Sequence, residues 1–340
     1  MNATDRYLGC MIGLAIGDAL GYPVEFQHSP RVTDMTSPLY SDDTQMSIAT
    51  AQGILRGGSI EDVHRAYLGW LKTQSDRSQA RAPGGTCLSA LASGVIGTIA
   101  DPINDRKGCG GVMRVAPAGL VFKPGTAFRK GAEYAAITHG HPSGYLSAGY
   151  LAELISRLIE GATLDAALDA TTSVLKTYKN HDETLAAVRE ARRLAADPDE
   201  ARSDVESLGG GWVGEEALAI AMYCTLRFPA DLSAGVLAAV NHGGDSDSTG
   251  CFCGAVLGTM LGVETIPPRW VQKVENAQRL RDLAAALSAL PRIGERLPPV
   301  KKVKCPVCDE PLQLPLTGTV SCPHCKTKLT FDGTGRVVLS

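Results

Sequence analysis

Two short segments concentrate oxygen ligands: Ser41-Asp42-Asp43-Thr44-Gln45-Met46, and Gly243-Gly244-Asp245-Ser246-Asp247-Ser248-Thr249-Gly250. Each holds a closely spaced carboxylate pair with hydroxyls beside it, and each leads into a helical pattern, Met46-Ser-Ile-Ala-Thr-Ala in one case and Cys251-Phe-Cys-Gly-Ala-Val-Leu-Gly in the other. Hard divalent cations such as Mg²⁺ or Mn²⁺ take such oxygen sets. Helix capping is the competing account, since Ser, Thr and Asp are favoured N-caps and acidic first turns complement the helix dipole. Capping uses one side chain per helix and leaves the remaining carboxylates repelling one another, whereas a pair of ions about 3.5–4 Å apart would neutralise them.

A third segment, Gly108-Cys109-Gly110-Gly111-Val112-Met113-Arg114, joins glycines to a nearby base. Glycines let backbone amides approach an anion, although a tight turn between helices accounts for the segment equally well. It lacks the Gly-Lys-Ser/Thr ending of a phosphate-binding P-loop. The last forty residues hold a fourth constellation, Cys305-Pro-Val-Cys308 and, thirteen residues on, Cys322-Pro-His-Cys325. Two such knuckles can converge four thiolates on one structural Zn²⁺, and so short a segment needs that staple to fold. A closed four-cysteine shell leaves no open position for chemistry, with His324 a bystander. The predicted module is a small β-rich zinc ribbon, and its mild basic excess suits contact with a protein or a nucleic acid.

The elements that must position these groups read as helices. After Pro142, Leu146, Tyr150, Leu151, Leu154, Ile155 and Leu158 form one apolar helical face. Similar patterns cover 62–71, 183–194, 215–227, 232–240 and 271–290, and no region shows the period-two alternation of a half-buried strand. The expected fold class is therefore an all-α, compact multi-helix domain over residues 1–295. Pro291, Pro298, Pro299 and the basic run that follows mark a linker at 296–303, and the ribbon occupies 304–340. Cys10, Cys87, Cys109, Cys224, Cys251 and Cys253 are scattered through the large domain, with Cys251 and Cys253 expected in its core.

With 340 residues, 44% of them hydrophobic and 20% charged, the chain is long enough to bury a sizeable core. Its net charge of −3 gives no global electrostatic case for nucleic acid or anionic lipid. No stretch reads as the apolar run of about 20 residues that a membrane span requires. The apolar residues from Tyr7 to Gly17 lack a convincing cleavage site and are read as mature structure in a cytoplasmic protein.

Taken together and in order, the segments resemble the ADP-ribosylglycohydrolase family. The resemblance runs from Gly9 to about Val263 and includes Gly17-Asp18-Ala-Leu-Gly21-Tyr-Pro-Val-Glu25-Phe and Ile137-Thr-His139-Gly-His141-Pro-Ser143-Gly144-Tyr145. It implies an all-α globule with two Mg²⁺ or Mn²⁺ ions and hydrolysis of glycosidic bonds to ADP-ribose. It assigns Ser41, Asp42 and Asp43 to one ion, Asp245 and Ser248 to the other, and Asp247 to both. Asp42 or Asp43 is the implied base toward water, and Glu25 the implied acid toward the leaving group. Gly108, Gly110, Gly111, Met113, Arg114, His139, Ser143, Gly144 and Tyr145 are implied contacts to ADP-ribose. Asp18 reads instead as a helix-terminal residue bonding the loop, and His141 as a cap.

Ser-Asp-Asp-Thr, Gly-Gly-Asp-Ser-Asp-Ser and the His-Pro-Ser-Gly-Tyr element look like the arginine-directed branch. The implied substrate is a protein ADP-ribosylated on arginine, and the product is free ADP-ribose. Alternatives are another linkage (serine, O-acetyl-ADP-ribose, nucleic acid) or an immunity protein that acts on or occludes an ADP-ribosylating toxin.

Overall fold

The computed structural model describes residues 3–28, 31–197 and 203–294, and in the C-terminal region 300–304, 311–315, 318–321, 325, 327–331 and 337–339. The chain divides into two compact units, Met1–Ile293 and Gly294–Ser340. In the first, the described residues form fifteen α-helices and no named strand.

The centre of that unit is an antiparallel pair, Ala3–Gly21 against Ser246–Leu261. The packing is dictated by glycines four residues apart. A Cβ on Gly9, Gly13, Gly17 or Gly21 would lie 2.1, 2.2, 1.9 or 2.3 Å from the carbonyl oxygen of Gly258, Gly254, Gly250 or Ser246 respectively. Residues four apart share a helix face, so each helix presents a side-chain-free stripe and the two backbones meet directly. This close approach sets Asp18 beside the entry of the second helix. Around the pair, the other helices bury one continuous apolar core that includes Trp270, Tyr67, Tyr134, Tyr150 and Phe128.

Helical periodicity located most elements: Ile60–Thr73, Pro142–Ile159, Asp182–Ala195, Gly214–Arg227 and Leu232–Val240 coincide with the predicted patterns within a few residues. The pattern over 271–290 is not one helix. It divides into Pro268–Lys273 and Ala277–Ser288, because Asn276 adopts the left-handed conformation (φ 53°) that ends regular helix. The two oxygen-rich segments also begin their helices earlier than the apolar pattern, at Asp42 and Ser246.

A second correction concerns the first helix. Together with the following turn, Ala3–Val24 is long and apolar enough to cross a membrane, contrary to the expectation of no such stretch. Within the protein, 83% of its apolar window is buried, as expected for the core helix of a globular unit.

In the second unit, Val300–Lys304 pairs antiparallel with Pro311–Pro315, and Lys328–Phe331 pairs antiparallel with both Gly318–Ser321 and Val337–Leu339. Cys305, Cys308 and Cys322 lie outside the described residues. Cys325 is half-buried, its Sγ donating to Thr327 Oγ1 at 3.2 Å.

Candidate active site

The two oxygen-rich segments converge from opposite ends of the sequence because their helices both start at the end of the glycine-packed pair. Asp18, at the end of the first helix and completely buried, ties the first segment down. Its Oδ1 accepts the Ser41 amide at 2.7 Å, and its Oδ2 accepts both the amide and the hydroxyl of Thr44, at 2.9 and 2.6 Å. In the second segment, Gly244 N–H donates to His242 Nδ1 at 3.1 Å, which puts the ring proton on Nε2, 2.8 Å from Thr249 Oγ1. Burial holds His242 neutral, its pKa lowered to about 4.

Ser41 caps the Asp42–Arg56 helix, its Oγ accepting the Asp43 amide at 3.3 Å, so neither Asp42 nor Asp43 is needed for that purpose. Asp245 stands at the N-cap position of the Ser246–Leu261 helix and makes no side-chain capping bond. Capping therefore leaves Asp42, Asp43 and Asp245 to another use.

These carboxylates line a cleft of about 530 Å³. Asp42 Oδ2 accepts the Gly84 amide at 3.1 Å, while Asp43 Oδ2 is buried and has no hydrogen-bond partner. Single carboxylate oxygens of Glu25, Asp245 and Asp247 lie within 4.8 Å of one another. Among the described residues that line the cleft there is no lysine or arginine. Burial raises every one of these acids, and repulsion between neighbouring carboxylates adds to it at Glu25, Asp42, Asp43 and Asp245. Asp42, Asp43 and Asp245 are pushed well up, chiefly by burial, and Asp247 is raised from the same cause. Asp18 is raised to about 7 by burial and then by Asp247, and Glu25 to about 8 by burial and then by Asp247 and Asp42. Buried anions without a protein cation, one of them carrying an orphaned oxygen, form a donor set suited to hard divalent cations.

Glu25 reaches the cluster through a strained turn. Phe26 holds a left-handed backbone (φ 61°) and donates its amide to Gly244 O at 2.8 Å, so the turn is pinned to the second segment.

The structure brings ten of the predicted site residues to the cleft wall: Glu25, Asp42, Asp43, Asp245, Asp247 and Ser248, together with Gly108, Gly110, Met113 and His139. His139 is buried and neutral, its pKa lowered to about 3 by burial and then by Arg114. Its Nδ1 pairs with Thr138 Oγ1 at 2.8 Å.

Other predicted contacts are placed elsewhere. Arg114 is not at the cleft but completely buried, 4.5 Å above the Tyr67 ring, with Nη2 donating to Tyr134 O, Ala135 O and Thr138 Oγ1. Its charge serves the interior because several acceptors converge there. Ser143 donates to Glu183 at 2.5 Å, and its amide is received by His141 Nδ1, the cap of the following helix. Gly111, Gly144 and Tyr145 are not among the residues that line the cleft, and Ser41, also outside that lining, reaches the cluster through a side-chain hydrogen bond to Asp247.

Sequence reasoning missed Phe26 and Trp212, whose exposed rings stack at 4.1 Å on the rim, and the stretch Ala82–Cys87. It also missed Cys109 as a cleft residue, with Sγ 3.0 Å from Asp245 Oδ2. The distance in sequence between Phe26 and Trp212 gives no local signal of their pairing. Cys109 lies within the glycine-rich segment, where a lone cysteine between glycines carries no spacing signal for a cleft position.

A family model described as ADP-ribosylglycohydrolase matches residues 1–296. The chain belongs to the ADP-ribosylglycohydrolase family. Residues 303–340 match a domain of unknown function, DUF8512. Among curated relatives, an uncharacterized protein of Archaeoglobus fulgidus is 30% identical, covering 84% of this chain and 97% of its own. The ADP-ribosyl-[dinitrogen reductase] glycohydrolase of Rhodospirillum rubrum is 27% identical, over 80% and 90%. Human ADP-ribosylhydrolase ARH3 is 25% identical, over 84% and 93%. A solved structure titled ADP-ribosylglycohydrolase-related protein complex superposes with a TM-score of 0.69 at 26% identity, covering 84% of this chain and 98% of that one. Family membership makes the chain a hydrolase of ADP-ribosyl groups, and the family typically binds metal ions.

Proposed function

We propose that this ADP-ribosylglycohydrolase-family chain removes ADP-ribose from arginine side chains of proteins, hydrolysing the N-glycosidic bond in a cleft that holds two Mg²⁺ or Mn²⁺ ions. The observation that carries the reading is the union of Asp42, Asp43, Asp245, Asp247 and Glu25 in one cleft with no lysine or arginine among the described residues that line it. Ser41, Asp42, Asp43, Asp245, Asp247 and Ser248 would hold the ions, which supply positive charge to order ribose hydroxyls and polarise water. Asp42 or Asp43 would take the proton from the attacking water, and Glu25 would hand a proton to the departing nitrogen. Glu25 suits that part because it lines the cleft, is the least buried of the set and keeps its proton to about pH 8.

Arginine is favoured over other linkages by two arguments. The Ser-Asp-Asp-Thr and Gly-Gly-Asp-Ser-Asp-Ser segments look like those of the arginine-directed branch. A guanidinium leaving group is also a cation entering a cleft walled by carboxylates, with the Phe26 and Trp212 rings at the rim as planar partners. The Rhodospirillum relative, named for a modified protein, supports a protein-borne substrate.

The test is ADP-ribose release from two matched peptides, modified on arginine or on serine, with Mg²⁺ and then with chelator. Metal-dependent release from arginine alone is expected, and Asp247→Ala should abolish it. Release from serine alone keeps the family and overturns the linkage. Binding of both peptides without release overturns hydrolysis and favours a recognition or immunity protein.

A further inference from the structure

A second cavity, of about 250 Å³, opens against the side of the Asp42–Arg56 helix and shares no lining residue with the acidic cleft. Gln45, Ala49, Gln52 and Arg56 reach it from that helix at the four- and three-residue steps of a single face. Across from them stand Arg65 and Trp70 of the next helix, Arg81 of the connecting loop, and Glu275 and Arg279.

Four arginines thus border the cavity, and two of them are ion-paired. Arg81 is paired with Glu275 and donates to Tyr40 O at 3.2 Å, and Arg65 is paired with Asp62 at 3.2 Å. The side chains of Arg56 and Arg279 have no hydrogen bond or ion pair with any described residue, although both border the cavity. The charges of Arg56 and Arg279, left without a protein counter-ion at one concavity, repel each other, and an anionic ligand relieves that repulsion.

We propose that this cavity is a binding site for a small phosphate-bearing anion, gripped by Arg56 and Arg279. Guanidinium forks match phosphate oxygens in pairs, and the amides of Gln52 and Asn276 add donors beyond what the two oxygens of one carboxylate would use. The volume lies below the usual range of about 300–1,000 Å³ for drug-sized ligands, so the occupant is a phosphate, a pyrophosphate or the head of a mononucleotide. The site also adjoins the catalytic segment, since Arg81 O accepts the Asp42 amide at 3.1 Å.

The experiment is calorimetric titration of the full chain in metal-free buffer, with inorganic pyrophosphate in one arm and AMP in another. Without cations the acidic cleft repels both probes. At least one probe should bind at one site per chain, and Arg56→Ala/Arg279→Ala should weaken it by about tenfold or more. Tighter binding of pyrophosphate assigns a free phosphate, and tighter binding of AMP a nucleotide. Arg189→Ala/Arg192→Ala removes the same charge elsewhere and should leave the affinity unchanged. Absence of binding by both probes, equal affinity in the Arg56/Arg279 variant, equal loss in the control variant, or tighter binding of citrate than of either phosphate would each overturn the proposal. All the substituted arginines are at least partly exposed, so thermal unfolding near that of the parent chain verifies that the variants are folded.

Discussion

Asp18 and Thr44 are joined twice through a single carboxylate oxygen, with the Thr44 amide at 2.9 Å and its hydroxyl at 2.6 Å from Asp18 Oδ2. The other oxygen takes the Ser41 amide. This buried carboxylate thereby fixes both ends of the segment that carries Asp42 and Asp43. In Asp18→Asn one oxygen becomes an NH₂ donor, which must face either the Thr44 amide or the Ser41 amide. A lost charged hydrogen bond and an unsatisfied buried donor cost about 2–4 kcal/mol together. The expected outcome is a lower unfolding temperature and Mn²⁺ affinity reduced by about tenfold or more, measured by calorimetry. Unchanged Mn²⁺ affinity would show that Asp18 does not position the acidic segment.

The glycine stripes between the first helix and Ser246–Leu261 make the same cleft depend on backbone contact. In Gly13→Ala the added methyl meets Gly254 O at 2.2 Å, and backbone cannot rotate aside as a side chain can. Overpacking of this kind costs about 1–3 kcal/mol or more. Chemical denaturation should show that loss. Glycine 69, with open space around its Cβ position, is the control, and Gly69→Ala should be neutral or mildly stabilising.

Those stripes also mark a limit to what was legible in the sequence. Gly9, Gly13, Gly17 and Gly21 are four apart, as are Gly250, Gly254 and Gly258, but a face without side chains carries no apolar signal, so the apolar patterns did not show that these two helices pack together. Apolar periodicity gave the helices for the reason that each buries one face. The oxygen-rich segments were legible because several acids in a row exceed what capping uses. Arg114 was not legible, since a basic residue after a glycine loop has the same appearance whether it turns toward the cleft or toward Thr138 and the Tyr134 carbonyl. The 271–290 pattern misled because Asn276 interrupts the helix without interrupting the apolar period.

Arg114 gives a separate prediction. Its guanidinium satisfies three oxygen acceptors in the interior and covers Tyr67, and an ammonium in its place cannot span that set. Arg114→Lys should cost about 2–4 kcal/mol of stability. Below its lowered unfolding temperature the variant should keep a KM near that of the parent chain. A KM raised severalfold with stability intact would restore the arginine to the ligand.

The C-terminal cysteines are proposed to hold a structural Zn²⁺ apart from the hydrolytic centre. Cys305→Ser should lower the zinc content measured by atomic absorption from one ion per chain toward zero. Release of ADP-ribose from a small modified arginine peptide should remain largely intact, because the described residues that line the acidic cleft all belong to Met1–Ile293. Loss of peptide hydrolysis together with zinc would make the second unit part of the catalytic machinery.

The raised acids predict an inverted pH dependence for the metal-free protein. In the unfolded chain carboxylates lose their protons near pH 4, whereas folded Asp18 and Glu25 keep theirs to about 7 and about 8, and Asp42, Asp43 and Asp245 are also raised well above the ordinary range. Between those limits the folded state binds more protons than the unfolded one, so stability falls as pH rises. The unfolding temperature without divalent cations should therefore decline from about pH 5 toward pH 8. Saturating Mn²⁺ should reverse the trend, because the ions bind the ionised carboxylates and compete with protons for them. Parallel melting curves with and without Mn²⁺ test both slopes. A metal-free protein that gained stability across that range would mean that the cleft carboxylates are ionised without cations, and the case for a dinuclear centre would lose its electrostatic basis.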